Sequence, residues 1–294
     1  MCELLGMSAN VPTDICFSFT GLVRRGGMTG PHRDGWGIAF YEGKGCRMFH
    51  DARPSAESEI ARLLERYSIK SCTVISHIRQ ATHGKVALEN THPFRRELWG
   101  RVWSFAHNGR LKGIKKLPLE HYRPIGTTDS EHAFCWLLDR IRERFPRPPR
   151  RSETLWRYLA GLLQGAGAQG SFNVLMSDGR DLFAYCSTQM SWLTRCAPFG
   201  AVRLVDAEVE VDFERETTPE DVVTVIATRP LTSNEIWNRI EPGTLIVFRD
   251  GLPTEVAASG GLQRLPVSSA VDAYRQVRTA TRPPRLLGNT SVFP

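Results

Sequence analysis

Apolar and polar positions along the first 250 residues fall into short runs, and the elements they predict are short. Asp34-Gly35-Trp36-Gly37-Ile38-Ala39-Phe40-Tyr41, then Glu42-Gly43-Lys44-Gly45, then Cys46-Arg47-Met48-Phe49 reads as a hairpin. Cys72 to Ile78 and Val102 to His107 are apolar or β-branched runs that end at polar clusters, the pattern of buried strands delivering residues to a site. Phe172 to Met176 and Asp181 to Cys186 form a second hairpin around Ser177-Asp178-Gly179-Arg180, and Val222 to Ala227 and Thr244 to Phe248 are further strands.

Helical spacing occurs between these runs. Ile60, Leu63, Leu64 and Tyr67 fall on one face of a helix starting near Ser55. Thr128-Asp129-Ser130-Glu131 is a capping box, and Phe134, Leu137, Leu138 and Ile141 give its helix a buried face. Ser152 opens another helix, with Leu155, Tyr158, Leu159, Leu162 and Leu163 on one side and Gly165 as its stop. Strands in hairpins with helices grouped between them predict an α+β fold with more than one sheet. Beyond residue 255 periodicity fades, so residues 1–255 are expected to form the domain and 256–294 a poorly ordered tail.

Composition narrows the picture. The 294 residues are 41% hydrophobic and 23% charged, enough for a core and unlike a disordered chain. No apolar run reaches the roughly 18 residues of a membrane helix, and no signal peptide is read at the N-terminus. The seven cysteines contain no C-x-x-C pair, so neither a metal site nor a disulfide framework is expected; the reading is a reduced, cytoplasmic protein needing no cofactor. The net charge of +7 is concentrated in two arginine-rich stretches, from Arg140 to Arg157 and from Arg264 to Arg285. Such runs are usually solvated faces, and nucleic acid ranks low among the partners considered.

The chemistry centres on Cys2. A small residue in second place permits removal of Met1, leaving a thiol and a free α-amine on one residue. An α-amine has a pKa of about 7.7–8.0, so it can serve as base to its own thiol. Arg79, after a buried strand, can clamp a carboxylate. Asn108 beside Gly109 can supply two donors to an oxyanion, although Asn-Gly is also a common turn. Asp129 can bind an ammonium or simply favour its helix N-terminus. Gly165-Ala166-Gly167-Ala168-Gln169-Gly170 matches a dinucleotide fingerprint but follows a helix and precedes a strand, so it is read as a connection.

Met1-Cys2-Glu3-Leu4-Leu5-Gly6, Asp34-Gly35-Trp36-Gly37, Arg79-Gln80-Ala81-Thr82-His83-Gly84, Thr91-His92-Pro93, His107-Asn108-Gly109 and Thr128-Asp129-Ser130-Glu131 stand in one order along the chain. Together they resemble the class II glutamine amidotransferases, a branch of the N-terminal nucleophile hydrolases, and within them the freestanding group. The resemblance implies a four-layer αββα sandwich and hydrolysis of the γ-amide of glutamine or a γ-glutamyl compound. It implies Cys2 as nucleophile, Asn108 and the Gly109 N–H as oxyanion hole, Arg79 on the substrate α-carboxylate and Asp129 on its α-ammonium. Thr82 and His83 would line the pocket. Gln80 stands where the family often has an aromatic residue. Ammonia would pass to a separate acceptor enzyme or be released; a homo-oligomer is the other association considered. Two alternatives stand beside this reading: a thiol hydrolase pairing Cys72 with His77 or His107, and a non-catalytic basic protein binding anions or nucleic acid.

Overall fold

The computed structural model describes residues 2–81, 84–215, 217–258 and 261–263. Its strands are β1 (Glu3–Thr13), β2 (Trp36–Glu42), β3 (Gly45–Asp51), β4 (Ser71–Ile78), β5 (Phe94–Leu98), β6 (Arg101–Leu111), β7 (Gly170–Ser177), β8 (Leu182–Cys186), β9 (Ser191–Arg195), β10 (Ala201–Arg203), β11 (Glu210–Asp212), β12 (Val223–Ala227), β13 (Asn238–Arg239), β14 (Thr244–Arg249), β15 (Leu252–Ala258) and β16 (Gly261–Gln263). The helices are α1 (Cys16–Arg25), α2 (Glu59–Leu64), α3 (Asp129–Arg144) and α4 (Ser152–Gly167). One seven-stranded sheet runs β13-β9-β12-β1-β4-β2-β3 and the other β16-β15-β14-β8-β7-β6-β5; β10 and β11 pair separately.

Alternation along the strands makes three apolar layers. Leu5 and Met7 of β1 and Val74 and Ile78 of β4 pack outward with Phe19, Leu22 and Leu64 of α1 and α2. Leu4, Ile75, Leu175, Leu182, Ile226, Ile246 and Phe248 fill the space between the sheets. Phe105, Phe172 and Phe183 on the second sheet's outer face meet Phe134, Leu138, Leu159 and Leu163 of α3 and α4. The result is the αββα sandwich. The phenol of Tyr41 ties the sheets together, 2.8 Å from Ser104 Oγ and 2.9 Å from Ser177 O.

Helix α3 is fixed at its start by Thr128, whose hydroxyl accepts from Glu131 N at 3.1 Å. Only half of the capping box forms. The Glu131 carboxylate turns to Ile125 N at 3.0 Å, Gly126 N at 2.7 Å and Arg96 Nη2 at 2.6 Å. Arg142 and Arg144 lie in the last turn, where cations suit the helix dipole.

Several expectations are corrected. Helix α2 is six residues long, capped by Ser58 instead of starting near Ser55. It buries Ala61 and Leu64, while Ile60, Leu63 and Tyr67 are exposed, because one and a half turns cannot present a full heptad to the sheet. Strand β6 continues past His107 to Leu111 because β7 offers partners as far as Gly170, so Asn108 and Gly109 lie inside a strand and not at its end. Helix α4 runs through Gly165 to Gly167. The second sheet also continues beyond residue 255, through Ala258 and the short β16; the tail from 264 onward and its arginines lie outside the described residues.

Candidate active site

Strand register brings distant residues to one end of the inter-sheet layer. In the β1–β4 ladder Glu3 pairs with Ile78 and Leu4 with His77, so Cys2 falls beside Arg79. The adjoining β2 sets Trp36 against the same Ile78. Arg79 N donates to Gly35 O at 2.8 Å, and Asp34 N to Arg79 O at 3.0 Å. Asp34 then pins the following turn, accepting from Ala81 N at 2.7 Å.

The Cys2 thiol lies against the Gln80 backbone, with Gln80 N 3.3 Å and Gln80 O 3.5 Å from Sγ. Burial pushes this thiol up; the Gln80 N–H and the Arg79 guanidinium pull the other way, and burial prevails. The thiol therefore holds its proton at neutral pH, and a nucleophile here needs a base.

Arg79 is 3% exposed. Its Nη1 donates to Lys85 O at 3.1 Å and Asp34 O at 3.4 Å. Asn90 Nδ2 donates to the same Lys85 O at 3.2 Å, while Asn90 Oδ1 accepts from Thr127 N at 2.8 Å. The guanidinium is thus connected through Lys85 and Asn90 to the segment that opens α3. A Cβ placed on Gly84 would stand 3.7 Å from Arg79 Nη2 and 3.9 Å from Thr127 Oγ1, so both side chains border that position.

From the other sheet, Asn108 approaches the same layer, 1% exposed. Its Nδ2 is 3.5 Å from Thr228 Oγ1, which accepts from Leu4 N at 3.0 Å. The Asn108 carbonyl accepts from Asn173 Nδ2 at 3.1 Å. Asn108 Oδ1 is buried without a partner among the described residues. Gly109 has φ +153°, and a Cβ there would meet Ser171 O at 2.0 Å, so the position admits only glycine. Asp129 stands at the first position of α3 and uses its carboxylate on the backbone: Oδ2 accepts from Leu111 N at 2.8 Å and Oδ1 from Ser130 N at 3.0 Å. The ladder thus sets Cys2 beside Arg79, Asn108 is linked through Thr228 to Leu4, two residues after Cys2, and Asp129 accepts from Leu111, three residues after Asn108. Thr82 and His83 lie outside the described residues.

The internal Cys–His pair fails on geometry. Cys72 and His77 are an odd number of residues apart on β4, so their side chains point to opposite faces, about 16 Å apart along the strand. His107 is occupied at both nitrogens, Nδ1 2.8 Å from Ser130 Oγ and Nε2 3.1 Å from Ser171 O.

Sequence reasoning missed what surrounds these residues. His77 and His92 stack with ring centroids 4.3 Å apart, and none of their nitrogens has a partner among the described residues. Burial, aided by nearby positive groups, holds both far below the usual histidine range, so they are neutral. Thr228 and Arg229 also carry no local signal, since they sit more than 200 residues from the strand they hold. Among the described residues no cluster of His, Cys, Asp and Glu is arranged to hold a metal, and no helix is long and apolar enough to cross a membrane.

The sandwich is of the N-terminal nucleophile type. It matches the glutamine phosphoribosylpyrophosphate amidotransferase of Bacillus subtilis with a TM-score of 0.53 at 13% identity, over 90% of this chain and 49% of that one. Sequence takes the assignment further: the family described as class II glutamine amidotransferases matches residues 1–271, and the chain belongs to that family. It is 62% identical over 248 residues to YafJ of Escherichia coli K12, provisionally named a glutamine amidotransferase, covering 84% of this chain and 97% of that one. A crystal structure from Pseudomonas aeruginosa PA01, titled a predicted glutamine amidotransferase, superposes with a TM-score of 0.69 at 55% identity, over 86% of this chain and 99% of the other.

Proposed function

We propose that this protein hydrolyses the γ-amide of glutamine, or of a larger γ-glutamyl compound, through a thioester on Cys2 after Met1 has been removed. The observation that carries the reading is the placement of the Cys2 thiol against Gln80 and beside the buried Arg79, with Asn108 reaching the same strand through Thr228. The α-amine of Cys2 takes the thiol proton and the sulfur attacks the γ-carbonyl carbon. The resulting oxyanion is held by Asn108 Nδ2 and Gly109 N–H. Collapse expels the amine, protonated by the Cys2 ammonium. Water, deprotonated by the same amine, then cleaves the thioester to glutamate and frees the thiol.

Arg79 binds the α-carboxylate and Asp129 the α-ammonium, fixing the carbonyl against the sulfur. The Asp129 oxygens already accept backbone N–H groups, which aims the carboxylate and leaves lone pairs for an ammonium. Thr82 and His83 complete the pocket in this reading. Ammonia is released or taken up by a separate acceptor enzyme, and the seven free cysteines suit a reduced, cytoplasmic setting.

The test is glutamate release from glutamine and a panel of γ-glutamyl amides, with intact mass recorded on the same sample. Activity should accompany loss of Met1, and Cys2→Ala should remove it by several orders of magnitude while leaving the melting temperature unchanged. A fully active protein that retains Met1 would overturn the mechanism.

A further inference from the structure

Glu3 follows the nucleophile and points the opposite way, into the layer beneath α1, where it is only 2% exposed. A carboxylate there is costly unless paired and hydrogen-bonded. Arg25, in the last turn of α1, places Nη1 2.8 Å from Glu3 Oε2. The same guanidinium donates through Nε to Asp206 at 2.6 Å, through Nη2 to Pro230 O at 2.6 Å and through Nη1 to Arg229 O at 3.2 Å. Arg229 grips Glu3 Oε1 from the other side, Nε at 2.6 Å with Nη2 on the same oxygen. Thr29 Oγ1 donates to Asp206 at 2.9 Å, so the loop after α1 joins the cage.

Neighbouring backbone is held as well. Leu4 N donates to Thr228 Oγ1 at 3.0 Å and Thr228 N to Leu4 O at 3.1 Å. Residues 3 and 4 are therefore gripped by residues 229 and 228, whereas β1 begins at Glu3 and Cys2 is the first residue outside it. A chain terminus frays unless it is tied down, and a displacement of 1 Å at a reacting atom can cost about a hundredfold in rate. Charged, bidentate contacts fix direction as well as position, which apolar packing does not.

We propose that Glu3 is a positioning residue for the reaction at Cys2, acting through the Arg25–Arg229 cage; this rests on the thioester reading above. Glu3→Gln keeps the shape and removes the charge, and Arg229→Ala and Arg229→Lys remove and restore it from the half-exposed side, where folding is less at risk.

With glutamine as substrate, Glu3→Gln and Arg229→Ala should lower kcat about ten- to a hundredfold, with KM and the Kd for glutamate unchanged within about twofold. Arg229→Lys should regain most of the loss, and Glu143→Gln, which breaks a surface pair with Arg140, should match wild type. Iodoacetamide alkylation of Cys2 needs no substrate and should quicken at least about fivefold in Glu3→Gln as the thiol leaves Gln80. An unchanged kcat and alkylation rate in both variants, or kcat and glutamate affinity lost in step, would overturn the positioning role. A wild-type protein that releases no glutamate would instead overturn the function, and the alkylation rates would still decide whether the cage holds Cys2.

Discussion

The layer between the sheets has two unlike halves. In one, Leu4, Ile75, Leu175, Leu182 and Phe248 are fully buried in an apolar cluster. In the other, His77, Arg79, His92 and Asn108 are buried almost as completely, and polar atoms of His77, His92 and Asn108 meet no partner among the described residues. The same strands supply both: β1 gives Leu4 and then leads to Cys2, and β6 gives Ala106 and then Asn108. Buried unsatisfied groups cost stability, so the apolar half must offset what the polar half loses. The difference teaches where stability and chemistry reside in this fold.

Cutting the apolar half should have the largest effect on stability. Leu175→Ala should lower unfolding free energy by about 2–5 kcal/mol in urea titration, with kcat of the folded enzyme within about twofold of wild type. A comparable loss of kcat would mean that the halves are not separable. Cutting the polar half should do the reverse. Arg79→Ala and Asp129→Ala each lose a charge-assisted contact of about 1.5–3 kcal/mol, so kcat/KM should fall at least about tenfold on every γ-glutamyl substrate. An effect confined to one leaving group would remove these residues from the glutamyl half of the site.

A further effect is a pH dependence of stability. His77 and His92 are held below the usual histidine range in the folded state, whereas the unfolded chain binds protons near pH 6.5. Acidification therefore favours the unfolded chain: their contribution is intact above about pH 6.5 and declines as pH falls toward the folded values. The slope should reach up to about 1.4 kcal/mol per pH unit for each histidine. His92→Phe should flatten it, as read from denaturant midpoints between pH 7 and pH 5; an unaltered slope would refute the assignment.

Much of this architecture is legible in the sequence where local pattern and final packing agree. Phe134, Leu137, Leu138 and Ile141 sit at helical spacing behind a Thr128 cap, and all are fully buried. The hairpins follow from their turn residues. Helix α2 misleads because its apolar spacing is carried by Ile60 and Leu63, which the sheet never meets. The site is less legible, since its geometry lies in pairings such as Leu4 with His77 and Leu5 with Ala227. Register across such distances has no trace in a single sequence. Cys2 and Asn108 stand out only through the ordered set of motifs they belong to, since Asn-Gly alone is a common turn; Thr228 and Arg229 are ordinary polar residues until the fold sets them beside β1.

Strand β1 lies between β4 and β12, and its second neighbour is translated more than 200 residues after it. During synthesis the head of the protein must remain half-paired until almost the whole body has emerged. A contact of such long range is slow to form and leaves an edge open in the meantime. Residues 228 and 229, which hold Leu4 and Glu3, reach the strand only in that late step. Assembly of the first sheet thus has a natural order in time, with its first-made strand among the last of that sheet to be locked.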